Sequence, residues 1–160
     1  MTTTIPHNDS VDFKHNDNQQ LIHLIYGSTA VRAWDNQQLL DLLAVSRRNN
    51  QQRAITGMLV YHDCSFLQIL EGNHNDVMTV FDQIRQDARH RFIKVFRQGR
   101  IVERDFSEWM MGFANLHTFT PSNVAGYSDI LKQPLATFFE RGNASYAYSF
   151  LKAFKYCMQF

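Results

Sequence analysis

The order of apolar runs along the chain predicts an α+β fold, βαββαβ with a fifth strand, with two helices on one sheet face and C-terminal helices on the other. Three observations carry it: short aliphatic runs ended by turn residues, two amphipathic stretches of helical period between them, and one closely spaced pair of strand-like runs. The chain has 160 residues, and at about 100–200 residues per domain it holds one domain with short appendages.

Residues 1–20, rich in Thr, Asn, Asp, Gln and His, carry few large apolar side chains (Ile5, Val11 and Phe13) and read as a disordered tail. From Leu21 the run LIHLIY, ending at Gly27, suits a buried strand. Asp35 with Gln38 three residues on is a capping-box start, and Leu39, Leu42, Leu43 and Ser46 continue a helix to about Arg48. ITGMLVY at 55–61 and SFLQILE at 65–71, separated by His62, Asp63 and Cys64, predict a hairpin that Gly72 stops. Asn73 then caps a second helix whose Val77, Val80, Phe81, Ile84 and Ala88 share a face. FIKVF at 92–96 and WMMGFAN at 109–115, interrupted by Gly112, read as the last two strands. LATFF and YAYSFLKAF, between Ile130 and Phe160, read as helices.

This order is the split-βαβ or ferredoxin-like arrangement with an extension. Right-handed crossovers put both helices on one face. The first strand then lies beside the third, so Ile22, Leu24 and Tyr26 neighbour Phe66, Gln68 and Leu70, with Tyr26 and Gln68 on a shared face. Leu21, Ile25, Leu67 and Ile69 point the other way, and the C-terminal segments are the available cover.

Composition narrows the function classes. A hydrophobic fraction of 44% with 13 Phe, 6 Tyr and 2 Trp supports a core without metal or disulfide. Sixteen Lys and Arg against fifteen Asp and Glu give a formal charge of +1 and no basic stripe, so nucleic acid is not an expected partner. Cys64 and Cys157 form no C-x-x-C pair, which fits a reducing compartment. No apolar run approaches the ~18 residues of a membrane helix and no signal-peptide order opens the chain, so the expected location is cytoplasmic, away from membranes.

The usual catalytic signatures are missing. The glycines make neither G-x-G-x-x-G nor a P-loop, the histidines make neither H-x-x-x-H nor H-E-x-x-H, and Ser28 lacks a G-x-S-x-G context, so neither a metal site nor a catalytic triad is expected. What stands out is polar chemistry in apolar strands. Tyr26 ends an aliphatic run, and the Gln68 amide, inside FLQIL, must find partners or cost about 1–3 kcal/mol. Either Gln68 simply bonds the Tyr26 hydroxyl, or both face a polar ligand between the helices. Asn49 and Asn50, at the end of the first helix, could serve the same cleft or simply terminate the helix.

YGSTA around Tyr26, RRNNQQRAITGMLVY around the Asn pair, FLQILEG around Gln68, DARH at 87–90 and WMM at 109–111 together resemble the BLUF domain, a blue-light sensor that uses FAD. The resemblance runs from about Leu21 to Leu116, with 42 residues from Tyr26 to Gln68 and 43 from Gln68 to Met111. It implies a flavin-binding domain at 21–116 and a helical extension at 117–160. It implies Tyr26 as electron and proton donor, and Gln68 as the amide linking it to flavin N5 and the C4 carbonyl. Asn50 would bond the pyrimidine edge at N3 and C4, with Asn49 near the C2 side. Ser28, Trp109 and Met111 would form the switchable shell around Gln68. Leu42 and Ile84 would sandwich the ring, and Asp87, Arg89 and His90 would stand near the ribityl and phosphate, a run that otherwise reads as a solvated helix end. Where the family commonly has a small residue between Trp and Met, this chain has Met110; strand alternation would keep Trp109 and Met111 on one face, with Met110 under the C-terminal helices.

A neutral Gln suits such a switch, because rotation or tautomerisation exchanges donor for acceptor without moving net charge. The expected function is therefore a blue-light photoreceptor, not an enzyme, signalling to a separate downstream protein and expected to be a homo-oligomer, because the residues after Leu116 are too few for an ordinary effector domain. Phe138, Phe139, Tyr146, Tyr148, Phe150, Phe154 and Tyr156 make that segment aromatic, suited to packing and to an interface. A flavin-dependent redox enzyme and a ligand-free interaction module are the other readings. FAD and FMN are both compatible with the residues, and partner identity is not legible.

Overall fold

The computed structural model describes residues 20–115 and 145–158. The expected N-terminal tail and the LATFF segment, with Phe138 and Phe139, lie outside them. Strand β1 (Leu21–Ala30) is followed by helix α1 (Asn36–Gln51), strands β2 (Thr56–His62) and β3 (Ser65–Asn73), helix α2 (His74–Arg85), strand β4 (His90–Arg100), strand β5 (Gly112–Asn115) and helix α3 (Tyr146–Cys157). The strands form one sheet in the order β4-β1-β3-β2-β5, antiparallel except for the β2–β5 pair. This is the βαββαβ arrangement plus a fifth strand.

Local chemistry accounts for the boundaries. Asp35 accepts from the Gln38 amide at 2.8 Å while the Gln38 side chain accepts from the Asp35 N–H at 3.1 Å, so the capping box opens α1. That helix runs to Gln51, past the expected end at Arg48, and carries the Asn pair in its last turn. The β2–β3 turn is Asp63-Cys64, both with positive φ (43° and 64°), the handedness that matches the twist of the flanking strands.

Several expectations need correction. β1 does not end at Gly27 but continues to Ala30; a Cβ at Gly27 would lie 2.8 Å from the tip of the Phe96 ring, which would have to shift. Asn73 occupies the N-cap of α2 without a side-chain capping bond, and Ala88 is exposed beyond the helix end. β4 is longer than 92–96, because it pairs along the whole of β1 through two bulges; as an edge strand it leaves Phe92, Val95 and Phe96 exposed. The fifth strand begins only at Gly112, so Trp109, Met110 and Met111 precede it in a bend.

Side-chain alternation divides the sheet into two apolar faces. One, with Leu24, Tyr26, Leu59, Phe66, Leu70 and Phe113, packs under Leu39 and Leu43 of α1 and Val77, Val80 and Phe81 of α2. The other, with Ile25, Met58, Val60, Leu67 and Ile69, is covered by Ala147 and Leu151 of α3 and by Phe106. Burying a large aliphatic side chain is worth about 1.5–3 kcal/mol. Docking α3 on this face is therefore what the aliphatic residues Ile25, Leu67 and Ile69 require.

Candidate functional site

β1 and β3 are antiparallel neighbours with Tyr26 paired to Gln68, Leu24 to Leu70 and Ser28 to Phe66, so the two polar side chains meet on the helix-covered face. The Tyr26 hydroxyl donates to Gln68 Oε1. The other end of the amide, Nε2, donates to the Met111 thioether at 3.7 Å. The orientation follows from chemistry: a phenol needs an acceptor, and a thioether has no proton to give. Tyr26 is buried against the Phe81 ring, with centroids 5.1 Å apart. Burial first, and the Asp87 charge second, push its phenol well above the ordinary tyrosine range, so it is neutral at physiological pH.

Above this pair lies a narrow cleft of about 60 Å³ between α1 and α2. Leu42 and Ser46 of α1 line one side and Ile84 of α2 the other, while Tyr26, Ser28, Leu59, Phe66 and Gln68 line the sheet side. Asp87, Arg89, His90 and Trp34 surround the mouth. Arg89 donates to both Asp87 oxygens, the shortest bond being 2.6 Å, and its guanidinium lies 5.1 Å from the Trp34 ring centroid. The Arg89 hydrogen bond is the main reason the Asp87 carboxyl lies below its usual range. His90 Nε2 donates to the Ile84 carbonyl at 2.8 Å, which in neutral imidazole leaves Nδ1 to accept from the Ser28 hydroxyl at 2.9 Å. His90 thus ties β1 to the end of α2.

The last turn of α1 grips the segment before β5. Asn50, fully buried, donates Nδ2 to the Met110 carbonyl at 2.6 Å, and Arg47 Nε donates to the Met111 carbonyl at 3.0 Å. Asn49 is half-buried, and Asn49, Asn50 and Met111 all lie outside the cleft lining.

Trp109 requires a correction. Met111 joins the helix-covered core, but Trp109 packs on the opposite face, stacked on Phe106 with centroids 6.3 Å apart. Strand alternation does not apply, because these residues precede the strand. Gly112 lets the indole fold back: a Cβ there would lie 2.6 Å from the Trp109 ring. The Trp109 carbonyl accepts from Gly57 N–H at 3.0 Å, which pins the bend to β2. Met110 is not under α3 either; it lies beside Arg47, Arg48 and Gln51 at the end of α1.

A cleft with aliphatic side walls and a neutral Tyr–Gln pair on its floor suits a flat, uncharged ring. The family model for BLUF, sensors of blue-light using FAD, matches residues 21–112. The chain belongs to the BLUF family. Its cofactor class is accordingly FAD, and a structure of a related protein, Klebsiella pneumoniae BlrP1, was solved with FMN. BlrB in its dark state is 30% identical, with a TM-score of 0.59 over 61% of this chain and 74% of BlrB. The photo-activated state of BlsA is 29% identical, with a TM-score of 0.59 over 76% of this chain and 77% of BlsA. Photoactivated adenylate cyclase subunit beta of Euglena gracilis is 33% identical over 122 residues, 74% of this chain. The match spans only 14% of that cyclase subunit. A BLUF domain is a light sensor that uses FAD, which decides against the ligand-free module.

The donor set fits the cofactor the family uses. Within the cleft Gln68 offers an amide, Ser28 and His90 a polar rim, and Leu42 and Ile84 aliphatic walls. Sequence reading did not assign Trp34, Ser46, Arg47, Leu59 and Phe66 to the site. Phe66 was legible from the register opposite Ser28, whereas Trp34 and Arg47 reach the site through the loop before α1 and the last turn of α1, with no periodic signal. Among the described residues no helix is long and apolar enough to cross a membrane, and no group of His, Cys, Asp or Glu could hold a metal ion.

Proposed function

We propose that this BLUF protein is a blue-light switch whose flavin lies in the α1–α2 cleft and whose output is contact with a separate cytoplasmic protein, not catalysis of its own. The Tyr26–Gln68 pair on the cleft floor, continued into the core by Met111, is the observation that carries the reading. Residues 21–116 act as the flavin-binding domain and 117–160 as the extension that delivers the output, with a homo-oligomer as the working assembly.

Bound FAD supplies a blue-absorbing ring that, once excited, takes up an electron readily. Tyr26 would be the residue to lend that electron and Gln68 Oε1 the group to accept its phenolic proton, and both would return to Tyr26 when the charge pair recombines. Gln68 then rotates or tautomerises, so the amide end at Tyr26 and the end at Met111 exchange hydrogen-bond character. Asn50 and Asn49 serve the polar edge of the ring, with Asn50 held in place by the Met110 carbonyl. Leu42 and Ile84 enclose the ring. Ser28 and His90 fix the β1 side, and Arg89 with Asp87 meets the ribityl and phosphate.

The test is the absorption spectrum in darkness and after blue light. The wild type is expected to carry flavin whose band shifts reversibly to the red, and Gln68→Ala and Tyr26→Phe to bind flavin without the shift. Bound flavin with no shift in the wild type would sink the proposal.

A further inference from the structure

Glu71 lies three residues beyond Gln68 on β3, on the opposite sheet face, and is fully buried. It pairs with His23 of β1 and Thr56 of β2, making a buried polar row across a face that is otherwise apolar. A buried carboxylate is costly unless donors surround it, and here they do. Oε1 accepts from the Asp105 N–H at 2.9 Å, and Oε2 accepts from the Phe106 N–H at 3.0 Å and from the Thr56 hydroxyl at 3.3 Å. Arg104 closes the arrangement by donating to the Thr56 hydroxyl, the Glu71 carbonyl and the Ala54 carbonyl at 2.9, 2.6 and 2.7 Å.

The gripped residues lead in two directions. From Phe106 the chain turns, with Trp109 N–H donating to the Phe106 carbonyl at 3.1 Å, and arrives at Met111 against Gln68. From Asp105, the side chain accepts from the hydroxyl of Ser145, the residue that caps α3. Tyr146, next in line, packs edge-on against His23 and lies under the Arg97 guanidinium.

We infer that Glu71 is a positioning residue of the photosensor: its grip on the Asp105 and Phe106 amides sets both where Met111 meets Gln68 and how the start of α3 is held. The inference rests on the light-sensing reading. Glu71 touches no group in the cleft and acts only through the segment it holds.

The experiment compares the wild type with Glu71→Gln and Ser145→Ala, reading the light-induced red shift, the dark-recovery rate and hydrogen exchange of α3 amides in darkness. Glu71→Gln places an NH₂ against a backbone N–H and removes one charge-assisted hydrogen bond. It is expected to keep flavin and the red shift, to change the recovery rate, and to speed α3 exchange roughly tenfold, the factor set by such a bond. Ser145→Ala is expected to speed α3 exchange while leaving recovery at the wild-type rate, because it cuts only the branch toward α3. A lower melting temperature in Glu71→Gln with wild-type recovery and wild-type α3 exchange would overturn the inference. If Glu71→Gln fails to fold, Thr56→Val takes its place, and unchanged recovery there overturns the inference equally. A wild type without a red shift would instead sink the light-sensing reading and this inference together.

Discussion

Met111 and Trp109, two residues apart, lie on opposite faces of the sheet: the thioether accepts from Gln68 on the cleft side, and the indole stacks on Phe106 beneath α3. The two side chains should therefore have separable effects. Met111→Leu keeps the volume, at a cost below about 1.5 kcal/mol, but removes the acceptor for Gln68 Nε2. It should move the dark absorption maximum and the recovery rate. Trp109→Phe should leave the dark maximum in place and lower stability by about 1–3 kcal/mol through lost packing. Equal spectral changes in the two variants would contradict this placement of Trp109.

Tyr26 and Gln68 are each other's buried partner, so single removals should be worse than joint removal. Tyr26→Phe strands the Gln68 oxygen and Gln68→Leu strands the phenol, each costing about 1–3 kcal/mol. The double variant should lose less than the sum of the two, a coupling that urea unfolding of all four proteins would measure. Strict additivity would mean that the two groups do not share the bond.

The sheet and its central pair were legible because they rest on period-two alternation and on capping and turn chemistry. Asp35 with Gln38 located α1, and the register opposite Gln68 followed from the strand order. What was not legible depended on contacts distant in sequence. The bend at 109–111 is set by Gly57, Asn50 and Arg47, which grip its carbonyls from β2 and α1, and no local pattern announces that. The length of β4 came from pairing with β1 through bulges, which its own exposed, mixed sequence does not encode. Glu71 was visible only as the end of an apolar run, because the donors that make its burial tolerable come from Thr56 and the segment after β4.

Outside the Asp63-Cys64 turn, two further described residues with side chains adopt the left-handed backbone that glycine or asparagine tolerates better. Ala54 has φ 50° in the turn after α1, and Phe92 has φ 55° at a bulge of β4 while 74% exposed. A left-handed L-residue costs about 1–2 kcal/mol. Ala54→Gly and Phe92→Asn should each raise stability by about 0.5–1 kcal/mol, since neither loses much buried surface. A lowered melting temperature in both would show that these side chains make contacts that outweigh the strain.

His23 gives the chain an acid-sensitive term. Its ring is buried, its Nε2 accepts from Arg97 Nε at 3.2 Å, and burial, followed by the Arg97 charge, holds its pKa below the ordinary 6.5 against an opposing pull from Asp105. A folded-state pKa below the unfolded one means that the unfolded chain takes the proton more readily. This contribution is complete above pH 6.5 and is lost as pH falls through that value toward the folded pKa. Glu71 has the opposite sign. Burial raises its pKa, so its contribution is present below the unfolded value and lost as pH rises through the folded one. The urea midpoint of the wild type should therefore fall more, or rise less, than that of His23→Gln on acidification from about pH 7.5 to pH 6. Arg97, Asp105 and Tyr146, the charged and aromatic neighbours of the ring, are unchanged in that variant. An undiminished slope in His23→Gln would assign the acid sensitivity to another group.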